Sequence, residues 1–263
     1  MLLEPHKVRP LERAYARYGR RLLRRAFARV WLGGAEWPPD DGGRPTIAFA
    51  NHSAWWDPVL ALYLSHDLFR RDPYGVMDGA QLRRFPFFRT IGCFGTTSGG
   101  SLADARGLAE YATRLLREPP SPGQRPRTLW LFPQGALLPA RGALSFESGL
   151  ARLALAVPEA TLVPVALRFA FREEQRPECF VRLGEAALRP EERGERVGSV
   201  RSLTCRLERR LSYELEALDA DLAAAAGAAG ATLDGYRIAL DGRGSLHAFY
   251  ERTLGRLGLG SRS

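Results

Sequence analysis

Four short apolar runs bounded by turn residues, alternating with longer stretches of helical periodicity, restrict this chain to a small set of folds. Thr46–Ala50, Thr128–Phe132, a run from Thr161 to Arg168 around Val163-Pro164-Val165, and Cys179–Leu183 read as buried strands. Between and after them, Leu102–Arg117, Phe146–Ala156 and Val197–Ala226 carry helical spacing. Asp57-Pro58 opens a further helix through Leu68, with aspartate as its N-cap and proline at its first position. This alternation predicts an α/β fold with a mostly parallel central sheet flanked by helices, whose ligand sites lie beyond the carboxyl ends of the strands. The length of 263 residues suits one substantial domain with additions. The predicted division is an N-terminal amphipathic helical region over 1–43, a core over 44–190 and a C-terminal helical extension over 191–263.

Ahead of the core, residues 11–32 place Leu11, Tyr15, Tyr18, Leu22 and Ala26 at helical spacing, with Arg13, Arg17, Arg20, Arg21 and Arg24 on the other face. Arginines beside tyrosine, Phe27 and Trp31 suit a helix seated at an anionic lipid surface; a solvated helix packed on the domain fits the same pattern. The net charge of +9 is almost entirely arginine, since Lys7 is the only lysine, and it favours anionic partners. Nucleic acid is not expected, because no reader motif is present. Cys93, Cys179 and Cys205 have neither metal-ligand nor disulfide-framework spacing, which points to a reducing cytoplasm. The N-terminus lacks an apolar leader pattern and no window is long and apolar enough to span a bilayer. The expected location is therefore peripheral, on the cytoplasmic face of a membrane.

The chemistry begins where the first strand ends, at Asn51-His52-Ser53-Ala54-Trp55-Trp56-Asp57. A histidine five residues before an aspartate is weak evidence alone. On a strand-to-helix loop, however, an ionised Asp57 can fix one ring nitrogen of His52 and leave the other as a general base. Ser53 lacks the frame of an exposed hydrolase nucleophile and reads as a loop hydrogen-bonder. Trp55 and Trp56 read as packing residues rather than the walls of a substrate channel. A zinc site from His52, Asp57 and His66 is disfavoured, because His66 falls about two turns along the outgoing helix. No metal and no cofactor are expected.

With the later loops included, the chain resembles the glycerolipid acyltransferases of the lysophosphatidate acyltransferase type, over approximately residues 44–185. Their NHxxxxD block is matched by Asn51 to Asp57, with Pro58 following. Their FPEGTRS block corresponds to Phe132-Pro133-Gln134-Gly135-Ala136-Leu137-Leu138, followed by Phe146-Glu147-Ser148-Gly149. Their proline-containing strand is matched by Leu162-Val163-Pro164-Val165-Ala166-Leu167. The remaining block is poorest, with Gly75, Phe85-Pro86-Phe87-Phe88 and Gly92-Cys93-Phe94 in place but no arginine in Thr96-Thr97-Ser98.

The resemblance implies O-acyl transfer from acyl-CoA or acyl-carrier protein to a lipid hydroxyl at the membrane surface, within phospholipid biosynthesis and without an acyl-enzyme. His52 and Asp57 would be catalytic; Asn51, Arg89, Pro133, Gln134, Gly135 and Arg141 would bind substrate. Gln134 stands where the family has glutamate. With the absent arginine, it turns the expected acceptor away from lysophosphatidate toward another lipid alcohol, such as a sugar or isoprenoid hydroxyl. Alternatively Arg83, Arg84, Arg89 or Arg141 supplies the phosphate contact from a shifted position. A catalytically inactive lipid-binding protein of the same fold is the rival reading, with Gln134 as a mark of decay.

Overall fold

The computed structural model describes residues 1–38, 44–96, 101–121, 123–140, 142–172, 174–186, 199–226 and 233–242. The chain builds β1 (Leu2–Leu3), α1 (Arg9–Ala26), β2 (Arg29–Gly34), β3 (Thr46–Ala50), α2 (Asp57–Tyr63), β4 (Asp72–Val76), α3 (Gly79–Arg84), α4 (Phe87–Thr90) and β5 (Cys93–Thr96). There follow α5 (Leu102–Arg117), β6 (Arg127–Leu131), α6 (Gly149–Ala156), β7 (Thr161–Ala170), β8 (Glu178–Leu183), α7 (Val200–Ala225) and β9 (Tyr236–Asp241). After α2 the helix continues for one wider turn over Leu64–Leu68.

The nine strands form one sheet in the order β1-β5-β4-β6-β3-β7-β8-β2-β9. From β5 to β7 every neighbouring pair is parallel, so β3, β6 and β7 all end at one edge. Antiparallel pairs occur at β1–β5, β7–β8 and β2–β9. β3 is buried along its whole length, as its unbroken apolar run requires. Pro164 sits one residue outside the β7–β8 ladder, which begins at Val165. Alternation along the strands separates two cores. Ile47, Phe49 and Ala166 pack with α5, α6 and α7, whereas Ala48, Ala50 and Leu167 pack with α1 and α2.

The fold class is as the sequence predicts, and β3 and α5 run over the predicted residues. The N-terminal region differs. The helix stops at Ala26 and Arg29–Gly34 is a strand, because Ala28 N–H turns to the Pro177 carbonyl and β2 then pairs with β8 and β9. Phe27 and Trp31 are therefore core residues, not lipid contacts; Trp31 Nε1 donates to Glu178 Oε1 at 2.9 Å. The buried stripe of α1 is Glu12, Ala16, Gly19 and Leu23, with Gly19 closing on Val59 of α2. Leu11 and Tyr18, read as the apolar face, are exposed.

Nor do residues 43/44 and 190/191 separate structural units, since β2 from the first segment and β9 from the last lie in the same sheet. The C-terminal segment thus contributes a strand as well as a helix. β4 and β5 went unread because Asp72-Pro73-Tyr74-Gly75 and Cys93-Phe94-Gly95 carry proline and glycine, which weaken any strand pattern.

Candidate active site

β3 ends at Ala50, and the next seven residues turn the chain into α2 under the control of one side chain. Asp57 is the first residue of α2, not its N-cap, and Pro58 stands next to it. Its carboxylate reaches back over the turn: Oδ2 accepts from Ser53 N–H at 2.8 Å and from Ala54 N–H at 2.9 Å, and meets His52 Nδ1 at 2.8 Å. Asp57 is 0% exposed, and its Oδ1 has no hydrogen-bond partner among the described residues. An oxygen that accepts from two amides leaves His52 Nδ1 only the donor role, so Nε2 carries the ring's lone pair. The ring stacks on Phe132, with centroids 4.5 Å apart.

The Phe132–Leu138 turn braces this histidine from the other side. Gln134 Oε1 accepts from His52 N–H at 2.9 Å, and Leu138 N–H donates to the His52 carbonyl at 2.9 Å. Gly135 has φ +70°, which lets the chain reverse after Pro133. Gln134 is thus a bracket for the backbone of His52, and a glutamate would accept the same bond. With Oε1 engaged, its amide nitrogen is the atom left over at the cleft wall.

Asn51 is buried and holds Leu167 of β7 with both ends of its amide: Nδ2 donates to the Leu167 carbonyl at 3.1 Å, and Leu167 N–H donates to Oδ1 at 2.8 Å. This extends the β3–β7 pairing past Ala50–Val165. Both ends of the Asn51 amide are thus occupied by the β7 backbone, which makes positioning of the loop its visible role.

A cleft of about 230 Å³ opens at this edge of the sheet. Asn51, His52, Ser53 and Gln134 line it, together with residues 138–140 and 142–144, Leu215 of α7 and Arg168 near the end of β7. Pro133 is buried beneath the turn, its carbonyl accepting from Glu147 N–H. Arg89 is not brought here. It lies in α4, where Nε donates to the Glu4 carbonyl at 2.8 Å. Arg141 and Thr97-Ser98 lie outside the described residues.

Ser53 acts through its backbone N–H; its buried hydroxyl has no partner among the described residues, contrary to the loop hydrogen bond read from sequence. Trp56 packs edge-on against Phe27, whereas Trp55 is exposed. Burial, with a smaller contribution from the Asp57 charge, pushes the Cys179 thiol well above its ordinary value, so it offers no nucleophile here. Among the described residues, no cluster of histidine, cysteine, aspartate or glutamate is arranged to hold a metal.

Sequence reasoning missed Arg168, Leu215 and Asp219. For Arg168 a signal existed, as a permanent charge directly after the apolar run 162–167, toward the edge where ligands bind. Leu215 and Asp219 reach the site only through the packing of α7 on β7.

Two comparisons bear on this arrangement. The model of a family described as Acyltransferase matches residues 25–168, more than half of the chain. The crystal structure of the 1-acyl-sn-glycerophosphate (LPA) acyltransferase PlsC from Thermotoga maritima superposes with a TM-score of 0.55 and 19% sequence identity, over 80% of each chain. That likeness is one of fold. No curated protein matches the sequence.

Proposed function

Since the chain belongs to the acyltransferase family, and is an acyltransferase on that evidence, we propose that it moves a fatty acyl group from acyl-CoA or acyl-carrier protein to a lipid hydroxyl, with His52 as general base and Asp57 as its orienting partner. The observation that carries this reading is the three-donor anchorage of Asp57 Oδ2, which fixes the His52 tautomer and leaves Nε2 to face substrate. Nε2 takes the acceptor's proton as its oxygen attacks the thioester carbonyl. The C–O bond forms, the C–S bond breaks, and the imidazolium returns the proton to the departing thiolate. The Asp57 carboxylate stabilises the imidazolium between these steps. No acyl-enzyme is involved.

The exposed face of α1 supplies the membrane contact in this reading. Leu11 and Tyr18 are exposed, as is Phe87 of α4, whose ring meets Tyr15 at 5.2 Å. Arg13, Arg17, Arg20, Arg21, Arg24 and Arg25 are exposed on the same helix. Aromatic rings flanked by arginines suit an anionic headgroup layer, each charge contributing about 1 kcal/mol near the surface. Among the described residues no helix is long and apolar enough to cross a membrane.

The catalytic reading is tested by incubating the protein with labelled acyl-CoA and a bacterial lipid extract. A labelled lipid product that is lost in His52→Ala is expected; identical product profiles for the two proteins overturn the assignment. For the membrane contact, a Leu11→Ser/Tyr18→Ser/Phe87→Ser variant should sediment less with anionic vesicles, and undiminished binding moves the contact elsewhere.

A further inference from the structure

Arg168 occupies the cleft in a form suited to a ligand. It follows Leu167, the residue held by both ends of the Asn51 amide, so the loop that carries His52 also sets the backbone from which Arg168 projects. Strand alternation turns Arg168 away from Leu167 and toward α7. There Nε and Nη2 form a two-pronged pair with Asp219, at 2.8 and 2.9 Å. The arginine side chain is 12% exposed and the aspartate 51%. Solvent therefore screens the carboxylate more than it screens the guanidinium.

The pair fixes the plane of the guanidinium and uses two of its five N–H donors. Nη1 has only a long contact, 3.4 Å, to the Leu167 carbonyl. An oriented, desolvated edge of N–H donors is the arrangement that recognises phosphate oxygens. Among the described residues lining the cleft, Arg168 alone carries a permanent charge. Of the other arginines considered for such a contact, Arg89 holds the Glu4 carbonyl, Arg83 and Arg84 are exposed on α3 with Arg84 over the Phe85 ring, and Arg141 lies outside the described residues.

We infer that Arg168 is the substrate-recognition residue of this cleft, its Nη edge receiving a phosphate oxygen carried by the acceptor headgroup or by the phosphorylated arm of the acyl donor. The inference rests on the cleft's being the acyl-transfer site. The phosphate contact then comes from the end of β7 rather than from the loop after β5. A phosphate bound there shares one small cleft with His52, which places the reacting hydroxyl within a headgroup's reach of the base.

Binding is the test, because it is read without turnover. Lysophosphatidate in detergent micelles, monoacylglycerol in the same micelles, and coenzyme A are each titrated against the unaltered protein, Arg168→Gln and Arg168→Lys. Arg168→Gln should weaken one phosphate ligand at least tenfold, about 1.4 kcal/mol. Arg168→Lys should fall between, since it keeps the charge and loses the fork. Monoacylglycerol binding should not change. Loss confined to lysophosphatidate names the acceptor as the phosphate source; loss confined to coenzyme A names the donor. Equal binding of both phosphate ligands by Arg168→Gln, or no phosphate ligand bound by the unaltered protein, overturns the inference. A catalytically dead protein that still shows the split overturns only the general-base reading. Thermal melts exclude a folding defect, which is not expected because Asp219 is already half exposed.

Discussion

Replacing Asp57 with asparagine removes one charge from the catalytic loop and leaves its shape. The amides of Ser53 and Ala54 both point at Oδ2 and cannot turn away, so the asparagine oxygen takes that place. Its NH2 then occupies the Oδ1 position, where the carboxylate has no partner among the described residues to lose. His52 still meets an oxygen, keeps its proton on Nδ1, and presents Nε2 as before. What disappears is the charge that stabilises the imidazolium. A hydrogen bond to a charged group is worth about 1.5–3 kcal/mol against about 1 kcal/mol for a neutral one. The loss is therefore about 0.5–2 kcal/mol, or roughly two- to thirtyfold in kcat. In triads where an asparagine presents the wrong tautomer, the loss is about 10⁴. Asp57→Ala should behave differently, because two partly buried amides lose their acceptor at about 1–3 kcal/mol each. That variant should melt well below the unaltered protein and lose nearly all activity. Initial rates of labelled acyl transfer, read beside thermal melts, separate the two. An Asp57→Asn protein that is folded yet as inactive as His52→Ala would refute the amide-anchored tautomer.

Gln134→Glu should retain activity within severalfold, because either side chain accepts from His52 N–H, whereas Gln134→Ala should lose about 1–3 kcal/mol through an unpaired amide; kcat for both checks this. Equal activity of the two variants would remove Gln134 from the support of His52. A second group of charges ties the N-terminus to β4: Lys7 bonds Glu12 and Asp72, and Arg9 bonds Asp72 at 2.7 and 3.0 Å. Burial alone would raise the Asp72 carboxyl, yet Arg9 and Lys7 outweigh it and hold it below its ordinary value. A carboxyl whose folded value is depressed adds stability above its unfolded value, near 3.9, and that stability is lost as pH falls through the folded value. Denaturant melts should thus show a loss of stability below about pH 4. Lys7→Met should flatten that acid limb and cost about 3 kcal/mol at neutral pH, the low end for a broken buried ion pair, because Arg9 remains. An unchanged acid limb would place the pH dependence in other groups.

What could be read from the sequence was local. Thr46–Ala50 declares itself a buried strand by composition, and Asp57-Pro58 declares a helix start, so a His–Asp loop between them follows from neighbouring residues alone. β2 could not be read in this way. Arg29-Val30-Trp31-Leu32 continues the basic and apolar rhythm of α1, and only pairing with β8 and β9, far along the chain, makes it a strand. The roles inside the loop were hidden for the same reason. Asn51 resembles a ligand contact until its partner is seen to be the backbone of Leu167, 116 residues away. Gln134 resembles a lost acid until its oxygen is found on His52 N–H.

The same distinction governs Arg168. Period-two alternation places it on the face opposite Leu167, and that much is written in β7 itself. Its function depends on which helix covers that face. Because α7 brings Asp219 there, the guanidinium is held in one plane with an edge toward the cleft; under an apolar helix the same arginine would have to swing out to solvent. In the proposed reading the tautomer of the base is set by Asp57, five residues along the chain, while recognition is set by a contact between β7 and α7. Substitutions at Asp219 should alter which substrate binds and leave the His52–Asp57 geometry intact.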